Sequence, residues 1–221
     1  MNNKLVITKD KSNTIYSCKF DDIYHSKHGS IDEANHVFIK HGLFASKKKK
    51  LNILEVGFGT GLNALLTLIE AKKKLIKINY HAVELYPLPW STLKNLNFCN
   101  LINIDNKIFK KLHLNWNEAI IMNDYFTIVK YHTSVEKYFN KKTKYDIIYF
   151  DAFSPSKQAD IWEENILSRM YDILKENSFL VTYCAKGIIK RRLKKIGFDV
   201  ICLQGPPGKR EMIKAIKSNQ K

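Results

Sequence analysis

Acidic side chains are in short supply. The chain has 21 Asp and Glu against 37 Lys and Arg in 221 residues, a formal net charge of +16. Such a balance suits a polyanionic partner, nucleic acid first, although lysine runs such as 47–50 and 72–74 read equally well as solvated faces. Arginine is scarce, four in all, yet Arg191, Arg192 and Arg210 fall in the last third, where forked phosphate recognition would prefer Arg to Lys. Cysteine is sparse too. Cys18, Cys99, Cys184 and Cys202 are far apart and show no CxxC or Cys/His ligand spacing, so reduced structural thiols and a cytoplasmic location are expected rather than a disulfide framework or a zinc site. His28, His36, His41 and His113 lack ligand spacing as well, and no metal is expected. No apolar run approaches the roughly 18 residues of a membrane span, and residues 1–11 are mixed and polar, so neither membrane segment nor leader is expected. What remains is 45% hydrophobic and 12% aromatic, enough for a sizeable core.

Along the chain, strand-like and helix-like stretches alternate. Residues 1–50 hold two weak strand-like stretches, KLVITK and TIYSCKF, then a polar segment. From there the pattern predicts strands over 51–56, 78–85, 125–132, 145–150, 178–185, 198–204 and 211–217. Helices are expected over 62–74, 160–175 and 187–197, with a helical stretch over 134–142 and a helical, irregular segment up to Asn123. This is an α/β chain with a mostly parallel sheet, an antiparallel C-terminal strand and a small N-terminal β extension. The expected division is an extension over 1–50 packing on a core domain over 51–221. Ligands of such sheets lie outside the carboxyl ends of the strands.

Glycine is concentrated where the first core strand meets the first core helix, in EVGFGTGLN (55–63). The dinucleotide fingerprint GxGxxG fails at Leu62, and the phosphate loop GxxxxGK[ST] is absent. The stretch instead fits [D/E]xGxGxG, the S-adenosylmethionine loop of Rossmann-like methyltransferases, with Glu55, Gly57, Phe58, Gly59, Thr60, Gly61 and Asn63 as cofactor-side candidates. Glu84 ends the next strand, where a carboxylate could accept both ribose hydroxyls. The strand YDIIYF then stops on Asp151, a charge at the same sheet edge, with Phe153 and Pro155 close behind.

Taken in order, FDDIYHSKHGSIDEANHVFI, GFGTGLN, DAFSPSKQADIW, the basic helix after Cys184 and GKREM resemble the MnmC-like tRNA methyltransferases over nearly the whole chain. The resemblance implies S-adenosylmethionine-dependent methylation of the amine of 5-aminomethyl-2-thiouridine at the tRNA wobble position. It also implies a methyltransferase without the FAD-dependent oxidase domain of two-domain members, so the aminomethyl precursor would come from another route. Asp151 would orient the substrate amine and take its proton, Phe153 would stack on the extruded base, and Pro155 would shape the wall. Two other duties are open to Asp151, capping the next helix or binding the cofactor's amino end. Asp21, Asp22 and Tyr24 would close over the methionine end of the cofactor. Lys186, Lys190, Arg191, Arg192, Lys209 and Arg210 would contact tRNA phosphates. Where an acidic residue commonly holds the adenine amino group, this chain has His132, Thr133 and Ser134, and Thr133 is the candidate there. Two rival readings remain. A spermidine synthase-like aminopropyltransferase shares the sheet and glycine loop, but its polycationic substrate would be repelled by a +16 protein. A non-catalytic RNA-binding module on the same scaffold would fail to bind the cofactor.

Overall fold

The computed structural model describes residues 4–139 and 143–219. A small antiparallel sheet comes first, built of β1 (Lys4–Ile7), β2 (Asn13–Ser17) and β3 (Asp22–Ile23). Helix α1 (Ser30–Ala34) runs on into a π-helical turn, Asn35–Lys40, which buries Val37, Phe38 and Ile39. The polarity of this segment in sequence hid a helix whose apolar side packs on the main sheet, with Phe38 and Tyr149 ring centroids 5.2 Å apart.

The main sheet is laid down by β4 (Lys50–Val56), α2 (Leu62–Lys74), β5 (Lys77–Glu84), the short helices α3 (Trp90–Leu93), α4 (Phe98–Leu101) and α5 (Asn106–Leu112), then β6 (Ala119–Asn123) and β7 (Phe126–His132). Helix α6 (Val135–Tyr138), β8 (Tyr145–Phe150), α7 (Glu164–Ile173), β9 (Leu174–Thr182), α8 (Gly187–Ile196), β10 (Asp199–Gln204) and β11 (Glu211–Lys217) complete it. Strand order is β10-β11-β9-β8-β4-β5-β7-β6. The five strands from β9 to β7 are parallel, while β11 and β6 run against their neighbours. This is the Rossmann-like α/β architecture with its antiparallel C-terminal strand.

Three local expectations need correction. Residues 119–123 form strand β6, a hairpin partner of β7, not part of a helical segment; only Ile120 of AIIMN is buried there, too little apolar patterning to signal an edge strand. The helix expected over 160–175 is split into a 3-10 turn, Asp160–Trp162, and α7, and the following strand starts at Leu174 because a register shift against β8 absorbs the polar KENS. Of the helical stretch expected over 134–142, α6 covers four residues, and 140–142 lie outside the described residues.

Chain order fixes where a ligand can sit. From β4 the chain winds outward through β5 and β7, then returns to β8 and β9 on the other side of β4. The loops leaving β4 and β8 therefore diverge to opposite faces and leave a crevice between them. All six residues of β8 are buried, so the strand presents its chemistry only at its ends.

Candidate active site

The ends of β4 and β8 are drawn tightly together. The Asp151 amide donates to the Val56 carbonyl at 2.9 Å, and the Gly57 amide donates to the Val83 carbonyl at 3.0 Å. A Cβ on Gly57 would lie 2.4 Å from the Asp151 carbonyl oxygen, and φ there is +90°, so only glycine permits this approach. Two residues on, the Gly59 amide donates to Glu84 at 3.0 Å, and Tyr86 donates its amide to the other carboxylate oxygen at 2.7 Å. Glu84 thus clips the glycine loop to the end of β5. Over these ends opens a cavity of about 340 Å³, within the ~300–1,000 Å³ range of small-molecule sites.

Strand β8 carries a carboxylate at each end, and their environments differ. Asp146 is buried, which alone would raise its pKa. The Asn52 amide at 2.8 Å and the ammonium groups of Lys175 and Lys48, each at 2.7 Å, overcome that and hold it below the usual range. Asp151 lines the cavity and has no ion-pair partner among the described residues. Burial, reinforced by the nearby charge of Glu33, pushes its pKa up to about 7, against the opposing pull of the Asn63 side chain and Lys209. The Asn63 amide nitrogen donates to Asp151 at 2.8 Å and to Glu55 at 2.9 Å. Asn63 therefore orients the Asp151 carboxylate from the first turn of α2. Glu55 is fully buried behind it, outside the cavity wall, and burial holds its pKa well above the ordinary value.

The segment after β8 is shaped by its terminal tryptophan. Trp162 is completely buried against Phe150 and donates its indole N–H to the Phe153 carbonyl at 2.7 Å, folding residues 151–162 back over the crevice. Phe153 faces the cavity, stacked on Phe20 at 4.3 Å between centroids and met edge-on by Tyr24 at 5.0 Å.

Most of the expected cofactor-side residues share this one wall: Asp22, Tyr24, Gly57, Phe58, Gly59, Thr60, Asn63, Glu84 and Thr133, together with Asp151 and Phe153. Gly61 supports the loop from beneath, where an added Cβ would meet His113 and Phe58 at 2.8–2.9 Å. Pro155 is not in the wall. Several lining residues escaped the sequence reading. His25, kept neutral by burial with its pKa near 4, bonds Thr60 at 2.6 Å; Tyr183 donates to the Ala152 carbonyl at 2.8 Å. Glu136, in the first turn of α6, puts an acid into the wall just beyond Thr133 and Ser134. It was legible as the E of HTSVE, displaced from where an adenine-binding acid is usually sought.

The six basic candidates divide into two sets. Lys190 pairs with Glu211, Arg192 with Glu163 at 3.2 Å, and Lys209 with Glu33, its ammonium also 3.9 Å from the centre of the Tyr183 ring. Lys186, Arg191 and Arg210 are exposed and make no ion pair among the described residues. Lys209, like Lys190 and Arg192, is thus held in an ion pair, and it alone of the three sits beside the Asp151 end of the cavity. If the exposed arginines touch an RNA backbone, Arg191→Ala with Arg210→Ala should flatten the log–log salt dependence of binding by about two units, one per phosphate contact. Lys209→Ala should instead move the pH midpoint of activity upward, because Glu33 is left uncompensated near Asp151. Titrating RNA affinity against salt, and rate against pH, separates the two sets.

A glycine loop after the first core strand, a carboxylate clip at the second and a cavity over the switch point define a Rossmann-like enzyme built around a nucleoside cofactor. Residues 106–218 match the S-adenosyl-L-methionine-dependent methyltransferase family, and the chain belongs to that family. Its cofactor is S-adenosylmethionine. The chain is 29% identical over 219 residues to the tRNA 5-methylaminomethyl-2-thiouridine biosynthesis bifunctional protein MnmC of Marinomonas sp. (strain MWYL1), covering 89% of this chain and 31% of that one. The corresponding protein of Campylobacter fetus subsp. fetus (strain 82-40) is 27% identical, with 91% and 34% covered. The chain spans about a third of the length of these curated relatives. Among solved structures, MNMC2 from Aquifex aeolicus superposes with a TM-score of 0.81 at 21% identity, covering 99% of this chain and 71% of that one, a likeness of fold. No described helix is long and apolar enough to cross a membrane, and the described residues hold no cluster suited to a metal ion.

Proposed function

We propose that the protein methylates the amine of 5-aminomethyl-2-thiouridine at the tRNA wobble position, in the cytoplasm, giving 5-methylaminomethyl-2-thiouridine. The observation that carries the proposal is Asp151: a carboxylate with its pKa near 7, oriented by Asn63 at the cavity edge of the glycine loop. The names of the curated relatives supply the substrate class. The site fits the cofactor on two counts, a glycine loop in the cavity wall where a Cβ on Gly59 would press on the Tyr24 ring, and a Glu84 carboxylate beside it for the ribose hydroxyls. When bound, S-adenosylmethionine supplies a sulfonium methyl group, the electrophile of an in-line displacement.

The chain's own residues then have three tasks. The nucleophile must be a neutral amine, whereas an aminomethyl group is mostly ammonium near neutrality. Asp151 can accept the proton and keep the nitrogen lone pair turned inward, a role suited to a base with its pKa near the working pH. Phe153 offers a ring face for the extruded base. The cavity wall would hold nucleophile and methyl group near attack distance, an effect worth up to about 7–11 kcal/mol. Gly57, Gly59 and Glu84 would hold the cofactor, which would give up its methyl group to the amine and keep the carbon–sulfur electron pair.

The test uses tRNA bearing 5-aminomethyl-2-thiouridine and methyl-labelled S-adenosylmethionine, followed by digestion to nucleosides. The label should appear in 5-methylaminomethyl-2-thiouridine. Label in another nucleoside, or none with folded, cofactor-binding protein, would overturn the substrate assignment.

A further inference from the structure

Phe20 covers the ring face that the substrate base would need. It lies in the turn between β2 and β3, and its ring is nearly parallel to that of Phe153, at 25° and 4.3 Å. The next residue, Asp21, closes the turn from outside: its carboxylate pairs with Lys157 at 2.8 Å and accepts a hydrogen bond from the Tyr16 hydroxyl. Asp21 holds φ at +49°, a left-handed turn conformation that Asp adopts more readily than most non-glycine residues. Lys157 belongs to the segment that leaves β8, so ring stack and ion pair together bridge the N-terminal sheet to the loop carrying Asp151. Both are weak links. The ion pair is exposed, with side-chain exposures of 33% for Lys157 and 75% for Asp21, and such pairs contribute little to stability.

We propose that the 18–21 turn is a substrate gate, in which Phe20 holds the place of the base on Phe153 and the Asp21–Lys157 pair latches it shut. Base entry breaks the latch, swings Phe20 aside and replaces one ring stack by another. Phe20 is then a specificity element: a planar base recovers the stacking that opening the turn gives up, whereas a non-planar amine cannot. This rests on the tRNA-base reading above.

Two measurements test the gate, and the first needs no tRNA. Hydrogen exchange over residues 18–24 should quicken severalfold in Phe20→Ala and in Asp21→Asn, since each removes one of the contacts to the 151–162 segment, leaving the Lys19 ammonium 3.2 Å from the centre of the Tyr86 ring as a remaining tie. Unchanged exchange in both variants would mean there is no latch. The second is the split between KM and kcat on the modified tRNA. Freed from competition with Phe20, the base should bind more tightly in Phe20→Ala, lowering KM by about 2–12-fold, the equivalent of ~0.5–1.5 kcal/mol for one ring pair. Phe20→Leu should fall between the two. Asp21→Asn should lower KM in the same direction and add little to Phe20→Ala, because both release one turn. A KM that rises in Phe20→Ala would make Phe20 part of the base-binding site, and an unchanged KM would make it plain wall; either result overturns the gate. Wild-type inactivity on this tRNA overturns the substrate reading, while the exchange measurement still decides the latch.

Discussion

Asp151→Asn should lower turnover on the modified tRNA by about 10²–10⁴, the range lost with a general base, with the fold and most cofactor affinity intact. Asparagine keeps the size and can still present an oxygen to Asn63, so geometry survives and basicity does not. With the wild-type carboxyl pushed up to about 7, kcat/KM should climb about tenfold per pH unit below that point and level off above it. The variant should lose the plateau and gain rate with rising pH, because solvent then deprotonates the amine. Stability should move the opposite way to activity. The folded pKa is raised from 3.8 to about 7, so between these values the folded protein keeps a proton that the unfolded chain has released. Wild-type stability therefore falls as pH rises through this window, and the full cost of the buried charge is present above 7. The asparagine variant carries no such cost. It should match wild type near pH 4 and exceed it by about 2–4 kcal/mol at pH 8, read from denaturant melts at the two pH values. Near-normal turnover at neutral pH would leave Asp151 a cofactor contact or a helix cap.

Gly59→Val should remove measurable S-adenosylmethionine binding. Two effects add. At φ +51° a β-branched residue is strained, at a cost of about 1–3 kcal/mol, and its first side-chain carbon already sits 3.0 Å from the Tyr24 ring before the branches are placed. The wall would have to give way at the point where the cofactor is cradled. Glu84→Ala acts by a different route. It removes the acceptor for the Gly59 and Tyr86 amides and, on the proposed reading, the acceptor for the ribose hydroxyls. At about 1.5–3 kcal/mol for a hydrogen bond to a charged group, loss of one such contact weakens binding roughly 10–150-fold. Calorimetry on both folded variants decides the matter. Wild-type affinity in each would place the cofactor elsewhere.

Much of this site could be read from residue order because its chemistry is local. Three alternate glycines after a buried strand specify a turn that side chains cannot make, whatever surrounds it, and Gly57 and Gly59 take the positive φ angles such a turn needs. Alternation of apolar strands and helices fixes a parallel sheet, and a parallel sheet fixes the end at which Glu84 and Asp151 stand. The tryptophan closing DAFSPSKQADIW was visible as part of a motif, though its purpose, holding the Phe153 carbonyl, was not.

Charge is where residue order stopped short. Residue order set Asp151 apart from Asp146 by its place just past the carboxyl end of β8, but not by charge state: Asp146 is paired with two lysines, and the Asp151 pKa is pushed up to about 7. Lys209 looks like Arg210 in sequence, but folding carries it against Glu33, 176 positions away, and leaves Arg210 in solvent. Phe20 opened a recognisable segment but showed no role of its own, since the cover it puts on Phe153 appears only when one ring lies on the other. Backbone geometry is set by neighbours along the chain, so the cofactor loop and the sheet edge were determined by sequence alone. The state of a charge and the cover on a ring are set by neighbours in space, and those only the tertiary structure decided.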